Sequence, residues 1–351
     1  MKAVVYDGAG GVRVDDVPEP KIERSTDALI EVTRGAICGS DLHILTGKTP
    51  GVQNGDVIGH EFVGVVKEVG DEVNAFTAGQ RVIGSFLIAC GSCGHCGAGR
   101  FNLCGKRRAI GFGALTGGLG GSQAELVRIP KADINLHAIA GDYAELDDEQ
   151  ALFGGDILTT GFYGAARSEI NTDDVVVVVG AGPVGLFCAG AAKRYSPAKV
   201  IVLDQDANRV AFARDEMGLD ALDVSSDDPA KAVLEATGGR AADIAIEAVG
   251  HSSALETAMA VIRDGGRVTV IGVYGVDRYE MPMGLCWVRG IDLRFAGMAN
   301  VQGHWDEALL AVAKGEIDPT KIVSHRLPLD DAVEGYELFR SREALKVVLT
   351  P

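Results

Sequence analysis

The hydrophobic pattern of the first part of the chain is that of a β domain. Up to about residue 155, apolar and polar positions alternate over short runs, such as residues 1–6, 28–32 and 62–66, and glycines break these runs. Alternation with a period of two is typical of strands that bury one face. We therefore predict a compact, mostly antiparallel β domain here, with functional residues in its loops.

The pattern changes at about residue 173. Residues 175–179 form a continuous apolar run, which predicts a strand buried on both faces of a parallel sheet. Helical and strand patterns then alternate up to about residue 297. Strands are predicted at 199–203, near 222, at 243–248 and at 267–273. One predicted helix follows the strand at 175–179 and ends at about 194, and further helices are predicted over 208–217, 229–236 and 253–263. This alternation predicts an α/β fold with a doubly wound parallel sheet. Helices near 304–314 and 330–340 and a strand at 346–349 are expected to rejoin the first domain.

Length and charge limit the classes of protein. A chain of 351 residues suits two domains, and its net charge of −16 disfavours a nucleic-acid partner. No apolar run has the length of a membrane span, and the start lacks a signal peptide, so we expect a cytoplasmic protein without a membrane partner. The chain has 29 Asp against 20 Glu and 12 Lys against 21 Arg. Either adaptation to a high-salt cytoplasm or a GC-rich genome accounts for this bias.

A glycine-rich turn lies between the buried strand and the helix after it. Glycines in such a turn allow a tight bend, close approach to a pyrophosphate and close helix packing, and the helix N-terminus attracts the phosphates. An aspartate ends the next strand 19 residues later, where its carboxylate would accept hydrogen bonds from a ribose and repel a 2′-phosphate. The sequence therefore favours NAD over NADP. The predicted cofactor residues are Gly180, Gly182, Pro183, Val184, Gly185, Asp204 and Arg209. For Arg209, a salt bridge on the helix surface is the alternative role.

Four cysteines lie within fifteen residues. They are Cys90, Cys93, Cys96 and Cys104. Four thiolates complete a tetrahedral zinc shell without an open position, which predicts a structural zinc site; an iron–sulfur cluster is the chemical alternative. His95 lies within the loop, but the four cysteines already fill the shell.

Two further segments carry the resemblance to a known family. Residues 35–43 contain Cys38, Ser40 and His43, and residues 59–61 contain His60 and Glu61. Together with the cysteine loop, the glycine turn and residues 346–349, they resemble the zinc-binding segments of the medium-chain dehydrogenase/reductase superfamily over nearly the whole chain. The resemblance implies a catalytic domain with a groES-like fold over 1–157 and 298–351, and a Rossmann NAD-binding domain over 158–297.

The resemblance also implies a ligand set for a catalytic zinc. Cys38 and His60 match two ligands of the family. Many relatives have cysteine as the third ligand, whereas residues 154–161 of this chain are similar to bacterial secondary-alcohol and glutathione-independent formaldehyde dehydrogenases, in which an aspartate binds zinc. Asp156 is therefore the expected third ligand, and a helix N-cap is its alternative role. Glu61 either enters the zinc shell or lies beside it.

These ligands leave a fourth zinc position for substrate, where zinc lowers the pKa of a bound alcohol so that an alkoxide forms near neutral pH. Hydride then passes to the nicotinamide. The resemblance implies that Ser40 accepts the proton and passes it through the cofactor ribose to His43, and that Asp41 contacts His60. A structural histidine is the alternative for His43. Lys346 is expected to face the cofactor pyrophosphate, with a surface strand lysine as the alternative.

We thus expect a zinc-dependent oxidoreductase that transfers hydride between a small alcohol, aldehyde or ketone and NAD. It would hold two zinc ions per chain, one catalytic and one structural. The resemblance favours a homotetramer, and a dimer is the alternative. Oxidation of a polyol, threonine or formaldehyde remains open, as does a zinc- and NAD-binding protein without catalytic activity.

Overall fold

The computed structural model describes residues 1–275 and 278–351, and the chain folds into two compact units. The first unit comprises Met1–Thr159 and Asn300–Pro351, and the second comprises Thr160–Ala299. In the part of the chain described, no helix has the length and apolar composition needed to cross a membrane.

Short strands dominate the N-terminal part of the first unit. They are β1 (Lys2–Tyr6), β2 (Val12–Asp16), β3 (Ala28–Ile37), β4 (Glu61–Val69), β5 (Arg81–Gly84), β6 (Leu87–Ile88), β7 (Arg108–Ala109), β8 (Leu126–Ile129) and β9 (Leu136–Ala138). The helices of this stretch are α1 (Gly39–Leu45), α2 (Gly94–Gly97), α3 (Ala132–Asn135), α4 (Asp148–Leu152) and α5 (Ile157–Arg167).

Strands and helices alternate in the second unit, and the chain then returns to the first. The alternating elements are β10 (Val175–Val179), α6 (Pro183–Lys193), β11 (Lys199–Asp204), α7 (Ala207–Asp215), β12 (Asp220–Asp223), α8 (Pro229–Ala236), β13 (Ala242–Glu247), α9 (Ser252–Val261), β14 (Ile262–Val270), α10 (Met283–Arg289) and β15 (Asp292–Phe295). The C-terminal elements are α11 (Trp305–Ala313), β16 (His325–Pro328), α12 (Ala332–Arg340) and β17 (Val347–Thr350).

The main sheet of the first unit joins the two ends of the chain. Its order is β16-β17-β3-β4-β5-β9, and β8 also pairs with β3. All pairs except β16–β17 are antiparallel, so the predicted antiparallel character is confirmed. Val347 lies opposite Ile37, and Ala36 lies opposite Glu61. This register brings the end of β3, the start of β4 and the residue before β17 to one place.

The second unit contains a six-stranded parallel sheet. The strand order β12-β11-β10-β13-β14-β15 confirms the predicted doubly wound fold. All five valines of β10 are buried because helices cover both faces of such a sheet. The order reverses between β10 and β13, and ligands of doubly wound sheets bind at that point, outside the carboxyl ends of the strands.

Several predicted boundaries in this unit are wrong by a few residues, and β14 begins at Ile262 rather than at 267. Strand β14 ends at Val270 rather than 273, because Gly272 packs so closely that a Cβ atom there would overlap the backbone nitrogen of Gly250. Helix α9 ends at Val261 rather than 263, because Ile262 already has an extended backbone. Apolar periodicity does not predict either end point, since both depend on the packing and backbone conformation of the residues that follow.

Candidate active site

Four predicted metal-site residues come together in the first unit. One ligand atom from each of Cys38, His60, Glu61 and Asp156 lies within 4.8 Å of the others. Cys38 follows β3, His60 and Glu61 lie at the start of β4, and Asp156 directly precedes α5. The antiparallel pairing of β3 with β4 therefore supplies three of the four residues, although Cys38 is more than twenty positions before the other two in sequence.

The geometry and chemistry of this cluster suit a zinc ion. Asp156 Oδ2 lies 3.9 Å from Cys38 Sγ and 3.2 Å from His60 Nε2. Thiolate, imidazole and carboxylate are the usual donors to zinc. Burial raises the pKa of the Cys38 thiol, and the nearby Glu61 carboxylate raises it further. Such a concentration of buried acidic groups favours a cation among them.

Glu61 is paired with a lysine from the other end of the chain. Lys346 Nζ lies 2.5 Å from Glu61 Oε2, and Nζ also lies 5.7 Å from the centre of the Phe153 ring. Lys346 is only 1% exposed, so the alternative of a surface lysine is wrong. Glu61 Oε1 makes no hydrogen bond with any described residue and remains available to a metal ion. A role for Lys346 toward the cofactor pyrophosphate stays a prediction.

The predicted contact between Asp41 and His60 is confirmed. Asp41 Oδ1 lies 3.2 Å from His60 Nδ1, and Asp41 Oδ2 accepts a hydrogen bond of 2.9 Å from the Cys38 backbone N–H. The Nδ1 side of the imidazole thus faces a carboxylate, which leaves Nε2 to face the cluster.

The two predicted proton-transfer residues lie on α1. Ser40 Oγ is 3.2 Å from His60 Nε2, so its hydroxyl borders the metal cluster. His43 is three residues further along and half-buried. Burial, together with the charge of Lys48, lowers the pKa of His43, so its imidazole is neutral and able to accept a proton at neutral pH.

The four cysteines of the loop form a second cluster. Their sulfur atoms all lie within 4.8 Å of one another, with 3.5 Å between those of Cys93 and Cys96. All are free thiols. Cys104 Sγ accepts hydrogen bonds of 3.4 Å from the backbone N–H groups of Cys90 and Lys106. The backbone N–H of Ser92 lowers the pKa of Cys90 to about 6, whereas burial raises that of Cys96 to about 12. The cluster fits a closed tetrahedral zinc site.

The predicted nucleotide turn has the backbone that such a site needs. Gly180 has φ of +108°, and a Cβ atom on Gly185 would overlap the carbonyl oxygen of Gly180. Gly182 precedes α6, whose first residue is Pro183, and Gly182, Pro183 and Val184 are all partly exposed. The helix N-terminus therefore presents backbone N–H groups to an incoming anion.

The two polar residues predicted for the cofactor lie beside this turn. Asp204 ends β11, and its carboxylate accepts hydrogen bonds from the backbone N–H groups of Ala181, at 2.7 Å, and Asp206, at 2.9 Å. Arg209 Nη1 lies 3.9 Å from the point that a Cβ atom on Gly182 would occupy. Whether Arg209 contacts the cofactor or forms a salt bridge on the helix surface stays a prediction.

One residue at the carboxyl edge of the same sheet is missing from the sequence-based predictions. Glu247 ends β13 and is fully buried, and its Oε1 accepts hydrogen bonds of 2.7 Å from the backbone N–H groups of Val249 and Gly250. It fixes the loop that follows β13, and the Val249 side chain of that loop packs against Gly180. The available signal in the sequence is an acidic residue that directly follows the apolar run 244–246.

Two family models match the chain. The alcohol dehydrogenase GroES-like domain matches residues 24–139, and the zinc-binding dehydrogenase domain matches residues 183–314. A zinc-type alcohol dehydrogenase-like protein of Bacillus subtilis strain 168, AdhB, is 36% identical to this chain. The alignment is 380 positions long and covers 100% of both chains.

Solved structures of zinc-binding and alcohol dehydrogenases also match the chain. Alcohol dehydrogenase TADH from Thermus sp. ATN1 has a TM-score of 0.93 and 37% identity, with 100% of this chain and 99% of that chain covered. A putative zinc-binding dehydrogenase from Sinorhizobium meliloti 1021 bound to NADP has a TM-score of 0.84 and 28% identity, with 100% and 99% covered.

The fold and the matches define a class: the chain belongs to the zinc-containing alcohol dehydrogenases of the medium-chain dehydrogenase/reductase superfamily. The predicted combination of a groES-like domain with a Rossmann sheet is confirmed. At the level of the class, the predicted activity is confirmed as well, and the protein is a zinc-dependent alcohol oxidoreductase.

Proposed function

We propose that this protein transfers hydride between a small alcohol and NAD, with one catalytic and one structural zinc ion per chain. The convergence of Cys38, His60 and Asp156 on one buried point carries this proposal. The four-cysteine cluster supports the second zinc ion, and the glycine turn supports the dinucleotide. We assign zinc binding and substrate to 1–157 and 298–351, and cofactor binding to 158–297.

The catalytic zinc would be held by Cys38, His60 and Asp156. When bound, zinc lowers the pKa of an alcohol and polarises a carbonyl group. Asp41 keeps Nε2 of His60 directed toward the cluster through its contact with Nδ1. Lys346 balances the charge of Glu61, so that this carboxylate is tolerated in a buried place.

We assign the proton path to α1. The Ser40 hydroxyl borders the cluster at His60 and can both accept and donate a proton there. His43 lies three residues further along the same helix, on the same face. Its lowered pKa suits a base that takes the proton from Ser40 and releases it to solvent.

The activity itself is tested with a panel of primary, secondary and aromatic alcohols, assayed by the formation of NADH. We expect turnover of at least one small alcohol, and loss of that turnover in the Cys38→Ala variant. The matched control is Cys188→Ala, because Cys188 is buried in α6 and belongs to neither of the two candidate metal clusters. Failure to oxidise any alcohol in a zinc-loaded preparation would leave a binding protein as the better description.

We expect NAD to be preferred over NADP by at least about tenfold, which corresponds to roughly 1.4 kcal/mol. The carboxylate of Asp204 would repel a 2′-phosphate and accept hydrogen bonds from ribose hydroxyls. The Sinorhizobium relative binds NADP, so this choice depends on the residues of each chain. The Asp204→Ala variant should narrow the preference, as measured by the kcat/KM values for both cofactors. Equal use of both by the parent protein would contradict the assignment.

We also propose that the chain assembles as a homotetramer in which β15 forms one interface with a second copy. Strand β15 is an edge of the parallel sheet, and α10, just before it, exposes Met283, Leu285, Trp287 and Val288. Trp287 is 83% exposed, which is unusual for so large an apolar side chain. An open strand edge can pair with its own copy about a twofold axis.

This assembly is measured by sedimentation of the parent protein and of a Trp287→Glu variant. We expect a tetramer for the parent and dissociation in the variant, since a buried interface tryptophan contributes about 2 kcal/mol or more. Leu115→Glu is the control, because Leu115 is an exposed apolar residue of the first unit, 73% exposed. A monomeric parent, or a variant that sediments like the parent, would contradict the interface.

A further inference from the structure

A buried polar network lies behind the catalytic cluster. Asp41 is fully buried, and its two oxygens contact different metal-site segments: Oδ1 lies near His60 Nδ1, and Oδ2 accepts from the backbone N–H of Cys38. Gln123 provides a further contact, because its Nε2 donates a hydrogen bond of 3.2 Å to Asp41 Oδ2. The orientation of the Asp41 carboxylate therefore depends on Gln123.

The Gln123 amide is held at both of its polar atoms. Nε2 also donates to the backbone carbonyl of Ala36, at 3.0 Å, and Oε1 accepts a hydrogen bond of 2.8 Å from the hydroxyl of Tyr336. Tyr336 lies on α12 and is 2% exposed. An amide nitrogen only donates and an amide oxygen only accepts, so two acceptors on one side and a donor on the other permit a single orientation of the amide.

Gln123 also packs against the residue before His60. Gly59 has φ of +89°, and a Cβ atom at that position would overlap the Gln123 side chain. The Gln123 backbone N–H donates a hydrogen bond of 3.1 Å to the carbonyl of Ile58. Gln123 is therefore linked to His60 by two routes, through Asp41 and through the backbone that precedes His60.

We infer that Gln123 and Tyr336 are positioning residues for the zinc ligand His60, acting through Asp41. This inference rests on the proposed function, because it takes His60 as a ligand of the catalytic zinc. A fixed carboxylate on Nδ1 fixes the tautomer and the ring orientation, and so directs the lone pair of Nε2 to the metal. Removing Gln123 leaves Oδ2 of the buried Asp41 with the Cys38 N–H as its remaining donor, and the carboxylate is then held less firmly.

The test measures zinc release to an excess of chelator from the zinc-loaded protein. Gln123→Met keeps the length of the side chain but removes the amide, and we expect about tenfold or faster release, the usual scale for loss of such a contact. Tyr336→Phe should accelerate release by a smaller factor, because the amide keeps its two acceptors. The double variant should release zinc no faster than Gln123→Met alone, since Tyr336 acts through Gln123.

A control variant separates positioning from general destabilisation. Tyr163→Phe removes a tyrosine hydroxyl that donates a hydrogen bond of 2.9 Å to a backbone carbonyl in the second unit, and zinc release should be unchanged. Cobalt exchanged into the site that the chelator empties first provides a spectroscopic measurement. Its ligand-field bands should shift in Gln123→Met and remain as in the parent in Tyr163→Phe.

Parent-like release and parent-like cobalt bands in both Gln123→Met and Tyr336→Phe would overturn the inference. Additive effects in the double variant would overturn the route through Gln123. If Gln123→Met does not fold, Tyr336→Phe with its cobalt spectrum decides the question. A parent that binds a single zinc ion overturns the proposed function and the inference together. If the variants release zinc faster but the parent oxidises no alcohol, the inference is supported and only the proposed function is overturned.

Discussion

Replacing Asp156 by asparagine should remove one of the two zinc ions and lower alcohol oxidation by about 10³-fold or more. The Asp156 carboxylate oxygen lies 3.9 Å from Cys38 Sγ and 3.2 Å from His60 Nε2, so asparagine keeps the shape of the side chain but loses the negative charge that a zinc ligand supplies. Loss of the metal removes several kcal/mol of catalysis, and about 4 kcal/mol corresponds to 10³-fold. Elemental analysis and kcat/KM measure the two effects.

Two substitutions at this position separate a ligand from a helix cap. Asparagine caps helices as well as aspartate does, whereas cysteine is not among the preferred cap residues. Cysteine is a zinc ligand, and asparagine is a poor one. If Asp156 binds zinc, Asp156→Cys keeps two zinc ions and Asp156→Asn keeps one.

If Asp156 only caps α5, the results reverse: Asp156→Asn behaves like the parent, and Asp156→Cys loses thermal stability. A Cys93→Ser variant is a reference for the other site, since loss of one of the four thiolates should lower the thermal stability of the cysteine loop. The zinc content of the parent also tests the proposed stoichiometry, because one zinc ion per chain, or iron with visible absorbance, would contradict it.

The Ser40→Ala variant should turn over alcohol about 10²-fold more slowly than the parent and still bind zinc and NAD. Ser40 Oγ lies 3.2 Å from His60 Nε2, beside the place where the alcohol must lose its proton. A positioned group that transfers a proton contributes about 10²- to 10⁴-fold. Alanine is a good helix former, so α1 should keep its structure. Steady-state kinetics and titrations with zinc and NAD are the measurements.

Ser40→Thr is the matched control, because threonine retains the hydroxyl and should keep most of the turnover. His43→Ala should have a smaller effect than Ser40→Ala, since His43 is further from the cluster and water can replace it. Added buffer bases should then restore part of its activity. Parent-like turnover by Ser40→Ala would contradict the relay and leave Glu61 or bulk water as the route for the proton.

The local features of this protein follow from its sequence because each depends on neighbours along the chain. The valine run of β10, the glycine turn and the aspartate that ends β11 form one continuous βα unit, so periodicity and spacing predict them together. The four cysteines lie in one loop, and their spacing alone predicts a metal site. The strand and helix boundaries are less well predicted, as Gly272 and Ile262 illustrate, because close packing decides where an element ends.

Spacing alone does not predict the proposed ligand set for a catalytic zinc. Cys38, His60 and Asp156 are separated by up to 118 positions, and without the resemblance to a family nothing in the sequence joins them. The structure joins Cys38 to His60 because β3 pairs with β4 in a particular register, and it adds Asp156 at the residue before α5.

Tertiary structure alone decided the surroundings of that cluster. The sequence predicted either a cofactor contact or a surface position for Lys346, and the pairing of β17 with β3 instead buries it against Glu61. Gln123 and Tyr336 are 213 residues apart, and their hydrogen bond exists because α12 packs beside the loop that carries Gln123. Spacing along a chain encodes contacts within one element or loop, whereas contacts between distant segments depend on sheet register and on which faces are buried, and these are fixed only when the chain folds.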